Sequence, residues 1–266
     1  MIRAKRRFGQ NFLINSATIE QIVAALQADA ADRVIEIGPG LGALTTLIQP
    51  LVQHLDLIEI DRNLIPILSK KFNTDKITNV SIHNTDALKI VPQDYLDPHS
   101  KQVKIIGNLP YNVATQIICN LMAHANAIHS MIFMVQKEVA DRITANPNNK
   151  HYGRLTVAVQ YFCKAEHLFD VPPTDFEPQP KITSSIICLT PYHTLPCVVD
   201  NYAMLQSIVT AAFNQRRKVI SNSLKKHFDL QQLRACGIEP TQRPEQLTIT
   251  QFVRLANSSK LLPEGS

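Results

Sequence analysis

The tetrapeptide Asn108-Leu109-Pro110-Tyr111 holds the residue types needed to methylate a poorly nucleophilic amine. The lone pair of an adenine N6 is delocalised into the ring. A side-chain amide oxygen and a backbone carbonyl, each accepting one N6–H, would aim the nitrogen at a methyl donor and favour a more tetrahedral geometry. Such a step rests on positioning and charge stabilisation rather than on a strong base. Asn108 can offer the amide oxygen, the backbone between Asn108 and Tyr111 the carbonyl, and Tyr111 a stacking face for the base. The same residues also make an ordinary strand-end turn, since Asn and Pro are common turn formers.

Residues 103–106 form a short apolar run of the kind found in a buried parallel strand. Pro110 lacks an N–H and biases Leu109 toward extended geometry. The strand is therefore expected to stop here, with Asn108 and Tyr111 at its carboxyl end, the edge of an open α/β sheet where ligands bind. Three earlier strands are expected to end there too. Residues 33–45 read as strand, glycine-rich turn and helix, with Glu36 in the strand and Gly38, Gly40 and Gly42 in the turn. Glycines let the backbone approach a ligand closely, and the helix start offers free N–H groups. The spacing Gly38-x-Gly40-x-x-Ala43 loosely fits a dinucleotide fingerprint. Acidic Glu36 opposes a pyrophosphate and suits a zwitterionic or cationic ligand.

The second strand, over 55–61, ends in Glu59 and Asp61. Glu59 lies about 20 residues beyond the glycines, where a carboxylate can accept both ribose hydroxyls of a nucleoside. It has no capping geometry, whereas Asp61 is placed to cap the next helix. A third strand, 80–83, precedes Asp86, which either binds the exocyclic amine of an adenine or is a plain turn residue.

Residues 1–13 are basic and helix-poor, with Arg3, Lys5, Arg6 and Arg7 followed by Phe8 and Gln10-Asn11-Phe12-Leu13. A solvated terminus accounts for the charge but not for Phe8, Phe12 and Leu13. Ile19, Ile22, Val23 and Leu26 then share one helix face behind an Asn15-Ser16 cap. Downstream, a helix over 114–122, a strand over 131–135 and a helix from Lys137 are expected. A polar loop, 145–153, of the kind that lids a site follows, then a strand over 155–162. The prolines of 171–181 fix an extended, helix-free segment in which Phe176 is either a core plug or an exposed stacking face. A last strand, 184–189, closes a first domain spanning 1–192. The pattern over 193–266 is all helical. There the segment 213–226 holds Arg216, Arg217, Lys218, Lys225 and Lys226 with no acid. Read as a basic helix, it suits an RNA backbone better than a solvated face alone.

Composition sets the limits. A chain of 266 residues, 45% of them hydrophobic, can bury a real core in one large domain and a small one. The net charge of +5 permits a polyanionic partner. The 5 cysteines lack Cys-x-x-Cys spacing and the 9 histidines lack a His-Glu-x-x-His pair. Reduced thiols, a cytoplasmic location and no metal are the expectation. No apolar run approaches the roughly 20 residues of a membrane span. The basic start lacks the apolar core of a signal peptide, and a mitochondrial presequence there would have to be very short.

Taken together, the motifs resemble the KsgA family of small-subunit (16S) ribosomal RNA adenine N6,N6-dimethyltransferases, along nearly the whole chain. Gln10-Asn11-Phe12-Leu13 is similar to the family's N-terminal cofactor motif, and Glu36-Ile37-Gly38-Pro39-Gly40-Leu41-Gly42 to its strand-and-loop motif. Asn108-Leu109-Pro110-Tyr111 resembles its catalytic motif, and Phe176-x-Pro178-x-Pro180-Lys181 its target-binding motif. Tyr152-Gly153-Arg154-Leu155 and Arg216-Arg217-Lys218 also fit.

The resemblance implies an α/β fold, a Rossmann-like S-adenosylmethionine-dependent methyltransferase domain with a small all-helical C-terminal domain that contacts RNA. It implies S-adenosylmethionine as donor. The implied substrate is two adjacent adenines in the 3′-terminal hairpin of 16S rRNA, within the small ribosomal subunit or its precursor, each methylated twice at N6. By motif match, Asn11, Leu13, Gly38, Glu59, Asp86 and Asn108 contact the cofactor. Asn108, Leu109, Pro110, Tyr111 and Phe176 handle the target base. The protein is expected to act as a monomer, with no membrane partner. The sister family that methylates large-subunit rRNA shares this layout, but Pro39-Gly40-Leu41-Gly42, Leu109 and the segment 216–226 look more like the small-subunit enzymes. Two readings of other classes stand beside this one: a ribosome-assembly binding factor whose methylation is incidental, and an NAD-dependent oxidoreductase suggested by the glycine-rich turn alone.

Overall fold

The computed structural model describes residues 10–72, 76–98, 100–215 and 217–259. The expectations for Arg3, Lys5, Arg6, Arg7, Phe8 and Arg216 lie outside the described residues. The chain divides into two compact units, Met1–Ala140 with Cys163–Pro191, and Asp141–Phe162 with Tyr192–Ser266. The second unit thus takes in a stretch that a boundary at 192 leaves with the first.

The first unit is built on a seven-stranded sheet. Strands β2 (Arg33–Ile37), β3 (His54–Ile58), β4 (Val80–His83), β5 (Val103–Asn108) and β6 (Ile128–Gln136) run parallel in the order β4-β3-β2-β5-β6. β9 (Ser184–Pro191) adds to β6 antiparallel, and the edge strand β7 (Cys163–Val171) adds to β9 antiparallel. Separately, β1 (Phe12–Leu13) pairs with β8 (Phe176–Glu177), placing Leu13 opposite Phe176.

The central strands read as continuous apolar runs because both of their faces are covered. Val34, Ile35, Leu55, Leu57, Ile105 and Ile106 have no exposed surface. Helices α1 (Ser16–Ala25), α2 (Ala43–Ile48) and α3 (Ile65–Phe72) pack Ile22, Leu44, Ile48, Leu68 and Phe72 against Val34, Leu55, Leu57 and Ile106. α4 (Ala114–Met122) buries Ile117, Ile118 and Leu121. Each such side chain contributes about 1.5–3 kcal/mol on burial. β5 fits beside β2 because residue 107 is glycine: a Cβ there would stand 2.5 Å from the Ile37 carbonyl oxygen.

The strand expected over 155–162 is instead helix α6 (Arg154–Gln160), in the second unit. Its β-branched residues suggest a strand, but tertiary contacts override that weak preference. Gly153 N donates to Thr156 Oγ1, which donates in turn to the Arg142 carbonyl. The loop 145–153 belongs to the same unit rather than acting as a free lid: Asn148 N donates to the Glu245 carbonyl, and Tyr152 is fully buried. β7 went unread because its central residues, including Lys164, Glu166 and His167, are partly or fully exposed on a sheet edge.

The helical unit also contains α7 (Tyr202–Phe213), α8 (Ile220–Ser223), α9 (Leu230–Ala235) and α10 (Ile249–Ser258), around a core that includes Leu205, Ile208, Phe213, Phe252 and Leu255. α5 (Lys137–Ile143) carries the chain across the boundary. The basic segment 213–226 is not one helix. α7 stops at Phe213, the four residues of α8 are the only other helical ones among the described residues of this segment, and Arg217, Lys218, Lys225 and Lys226 are exposed on the turns around them.

Candidate active site

Strands β3 and β4 lie on one side of β2, and β5 and β6 on the other. A reversal of this kind opens a crevice at the carboxyl ends of the two central strands. A cavity of about 270 Å³ lies there. Asn11, Leu13, Gly38, Glu59, Asp86, Asn108, Leu109, Pro110 and Tyr111 all line it. Their convergence follows from topology, because each follows or ends a strand on that edge, or belongs to the segment around β1.

The glycine turn forms the floor. Gly38 and Gly40 have φ of 68° and 59°, a left-handed backbone that strains any L side chain. A Cβ on Gly40 would also come within 3.2 Å of the Phe12 ring. The segment around β1 is held from several sides. Gln10 Nε2 donates to Asp61 Oδ2 at 3.1 Å, Ile14 N to the Asp175 carbonyl at 2.8 Å, and Thr18 Oγ1 to Asp175 Oδ2 at 2.6 Å.

Three carboxylates face the cavity. Glu59, expected to lack a local backbone role, has one: Oε1 accepts from Asp61 N at 2.8 Å and Oε2 from Gly40 N at 3.4 Å. Burial pushes its carboxyl above the usual range. Glu36 is buried more deeply and accepts from Thr45 Oγ1 at 2.7 Å. Burial, aided by the Glu59 charge and opposed by the Thr45 bond, pushes its pKa up to about 7. Asp86 takes the turn role, its Oδ1 accepting from Leu88 N at 3.0 Å, and it also lines the cavity. Asp61 accepts from Asn63 N ahead of α3, which begins four residues later at Ile65.

No Lys or Arg stands among the described residues that line the cavity. A described wall that carries Glu36, Glu59 and Asp86 repels a pyrophosphate and attracts a positive ligand. That disfavours the NAD reading and fits a nucleoside that carries a sulfonium and an ammonium.

At the catalytic end, Asn108 Nδ2 donates to the Asn11 carbonyl at 3.2 Å, which leaves Oδ1 as the free acceptor of the amide. Leu109 is buried, and its N–H donates to the Met134 carbonyl at 3.1 Å. The Pro110 carbonyl is taken by the N–H groups of Val113 and Ala114 at the start of α4. Tyr111 is half-buried, and its hydroxyl lies 2.6 Å from Ser184 Oγ.

Phe176 does not offer the expected stacking face. It is 1% exposed, does not line the cavity, and packs in the core with Leu13, Val171 and Ile186. Its ladder to Leu13 turns it inward. Of the two readings open for it, the core plug is what the structure shows. Sequence reasoning also missed Thr45 and Ser184, whose hydroxyls hold Glu36 and Tyr111. Nothing local marks either one. The exposed Ile14, Leu41 and Ile60 that help line the cavity were missed too.

A mostly parallel sheet with its cleft at the reversal of strand order, floored by a glycine turn and walled by acids, defines a Rossmann-like S-adenosylmethionine-dependent methyltransferase. The ribosomal RNA adenine dimethylase family matches over residues 1–260, and the chain belongs to that family. It is 44% identical over 264 residues to the ribosomal RNA small subunit methyltransferase A of Pseudomonas syringae pv. tomato, covering 98% of this chain and 97% of that one. The protein of the same name from Pseudomonas aeruginosa is 44% identical over 261 residues, covering 98% and 96%. Among solved structures, a dimethyladenosine transferase from Plasmodium falciparum superposes with a TM-score of 0.77 at 26% identity, over 92% of this chain and 95% of that one. The 23S rRNA methyltransferase ErmE shares the fold with a TM-score of 0.74 at 23% identity, over 92% and 98%. The chain is thus an rRNA adenine N6,N6-dimethyltransferase that uses S-adenosylmethionine in ribosome biogenesis.

Proposed function

We propose that the target is a pair of adjacent adenines in the 3′-terminal hairpin of 16S rRNA, on the small subunit or its precursor, and that each is methylated twice at N6. The small-subunit relatives support this choice of RNA by name. The observation that carries the chemistry is the Asn108 amide, which lines the cavity and whose nitrogen is committed to the Asn11 carbonyl, leaving its oxygen as the acceptor.

When bound, S-adenosylmethionine supplies an electrophilic methyl group on its sulfonium. Glu59 would accept from its ribose hydroxyls and Asp86 from its adenine amine, and Asn11, Leu13 and Gly38 would complete that side. The target base leaves its stack to enter the cleft. Tyr111 stacks on one face of it. Asn108 Oδ1 and the Leu109 carbonyl accept the two N6–H bonds; the Pro110 carbonyl is already occupied by α4. These acceptors aim the N6 lone pair and stabilise the charge that develops on nitrogen. Forming the N6–C bond would break the sulfur–methyl bond of the donor, and the N6 proton would pass to water. The exposed Arg217, Lys218, Lys225 and Lys226 of the helical domain hold the RNA backbone.

The reading also carries a monomer acting in the cytoplasm. Among the described residues, no helix is long and apolar enough to cross a membrane. The test is mass mapping of methylated adenines after protein, S-adenosylmethionine and under-methylated small subunits are incubated together. Two neighbouring dimethyladenines near the 3′ end are expected. Methyl groups on large-subunit RNA only, or on no RNA, would overturn the reading.

A further inference from the structure

Tyr111 sits in a turn between β5 and α4, outside both elements. Its ring lines the cleft, yet its hydroxyl reaches Ser184 Oγ at 2.6 Å across 73 residues of sequence. Ser184 is fully buried. It pairs with Gln136 of β6 on one side and Val171 of β7 on the other, so its position is set by two strands. It does not line the cleft itself.

We infer that Ser184 is a positioning residue for the methyl transfer, holding the Tyr111 ring by its hydroxyl so that the stacking plane is set before the base arrives. This rests on the reading of Tyr111 as the stacking face. A phenol ring attached at Cβ alone can turn about two torsions. A second attachment at the opposite end of the ring removes most of that freedom, and the sheet supplies an anchor that does not move with the turn. Misorientation by a few tenths of an ångström at a reacting centre is costly, which is why support of this kind matters. Either hydroxyl can donate in this pair, and burial pushes the Tyr111 phenol further above its ordinary range.

The experiment is a double-mutant cycle on Ser184→Ala and Tyr111→Phe, read as kcat and KM on under-methylated small subunits with cofactor affinity measured by calorimetry. Each single variant is expected to lower kcat by about 3- to 10-fold, the effect of one lost hydrogen bond, with KM and cofactor affinity within about twofold of wild type. The double variant is expected to match the singles, because both remove the same bond. Losses that multiply in the double variant, or wild-type kcat in both singles, overturn the inference. Should Ser184→Ala fail to fold, Tyr111→Phe alone decides: it leaves Ser184 in place, and normal kcat overturns the inference. Tyr111→Ala separates the two layers. Normal turnover there removes the stacking reading itself. Lost turnover in Tyr111→Ala with wild-type Tyr111→Phe removes only the Ser184 link.

Discussion

The side-chain nitrogen of Asn108 donates to the backbone carbonyl of Asn11, 97 residues earlier in the chain, at 3.2 Å. One hydrogen bond therefore couples the segment around β1 to the catalytic end of β5 and sets which end of the amide faces the cleft. Asn108→Asp tests the coupling. A carboxylate keeps the acceptor but sets a negative oxygen against the Asn11 carbonyl. Turnover in Asn108→Asp is expected to fall by about 10²–10³, comparable to losing one preorganised group at a reacting centre. Single-turnover methyl transfer to small subunits is the measurement. Asn108→Asp at wild-type rate would show that the amide nitrogen has no part in holding the oxygen in place.

Glu36 makes the cofactor-free protein sensitive to pH. Its folded pKa, about 7, lies above the ordinary 4.5 of the unfolded chain. Below that lower value both states are protonated and the group costs nothing. As pH rises from about 4.5 to 7 the unfolded chain loses its proton first, so stability falls with rising pH. Above that window the loss levels off at about 3 kcal/mol. Thermal melts of wild type and Glu36→Gln between pH 4.5 and 8 read this directly. Wild type is expected to lose melting temperature across the window relative to the variant, and parallel curves would mean that Glu36 is charged at little cost. Saturating S-adenosylmethionine should reduce the loss, because a cation beside Glu36 favours its charged form.

Phe176→Ala removes a large side chain from the core it shares with Leu13, Val171 and Ile186. A loss of about 3–5 kcal/mol in unfolding free energy is expected, with a lower denaturation midpoint in urea. Turnover per folded molecule should change less than stability does. Wild-type stability with lost turnover would return Phe176 to the target base.

Legibility followed range along the chain. Glu36, Gly38, Glu59, Asp86 and Asn108 were readable because each sits at the end of an apolar run, and the sheet brings such ends to one edge. Phe176 resisted because its fate depends on a ladder with Leu13, and nothing in a proline-rich stretch says which distant strand it meets. The Tyr111–Ser184 bond resisted for the same reason. Helix α6 misled because Leu155, Val157 and Val159 alternate as a strand would, while the Thr156 bonds that favour a helix reach residues outside the run.

The exposed cations around α8 make a prediction about salt. Replacing Arg217, Lys218, Lys225 and Lys226 with Gln should weaken RNA binding and flatten its dependence on log salt, by about 0.7–0.9 for each phosphate no longer neutralised. Cofactor affinity should not move. Filter binding of an rRNA hairpin between low and moderate salt gives the slope, and a slope equal to wild type would leave these residues as solvated surface.

Leu109 is expected to govern how many methyl groups are added. The second transfer requires N6-methyladenine to return with its first methyl turned away from the donor, and the residue after Asn108 lies beside that position. Leu109 lines the cleft at 1% exposure, and its N–H is tied to the Met134 carbonyl. Leu109→Pro loses that N–H, stiffens the turn and leaves the Met134 carbonyl without its donor, at a stability cost of about 1–3 kcal/mol. Its product is expected to be monomethyladenine with little dimethyladenine. Leu109→Ala separates backbone from volume, since it keeps the N–H and enlarges the space; it should still complete both transfers, more slowly. Nucleoside composition of the rRNA after a long incubation reads the ratio. Equal mono- and dimethyl yields in Leu109→Pro and wild type would place the limit elsewhere in the cleft. A Leu109→Ala variant that also stops at monomethyladenine would assign the limit to the leucine side chain rather than to the turn.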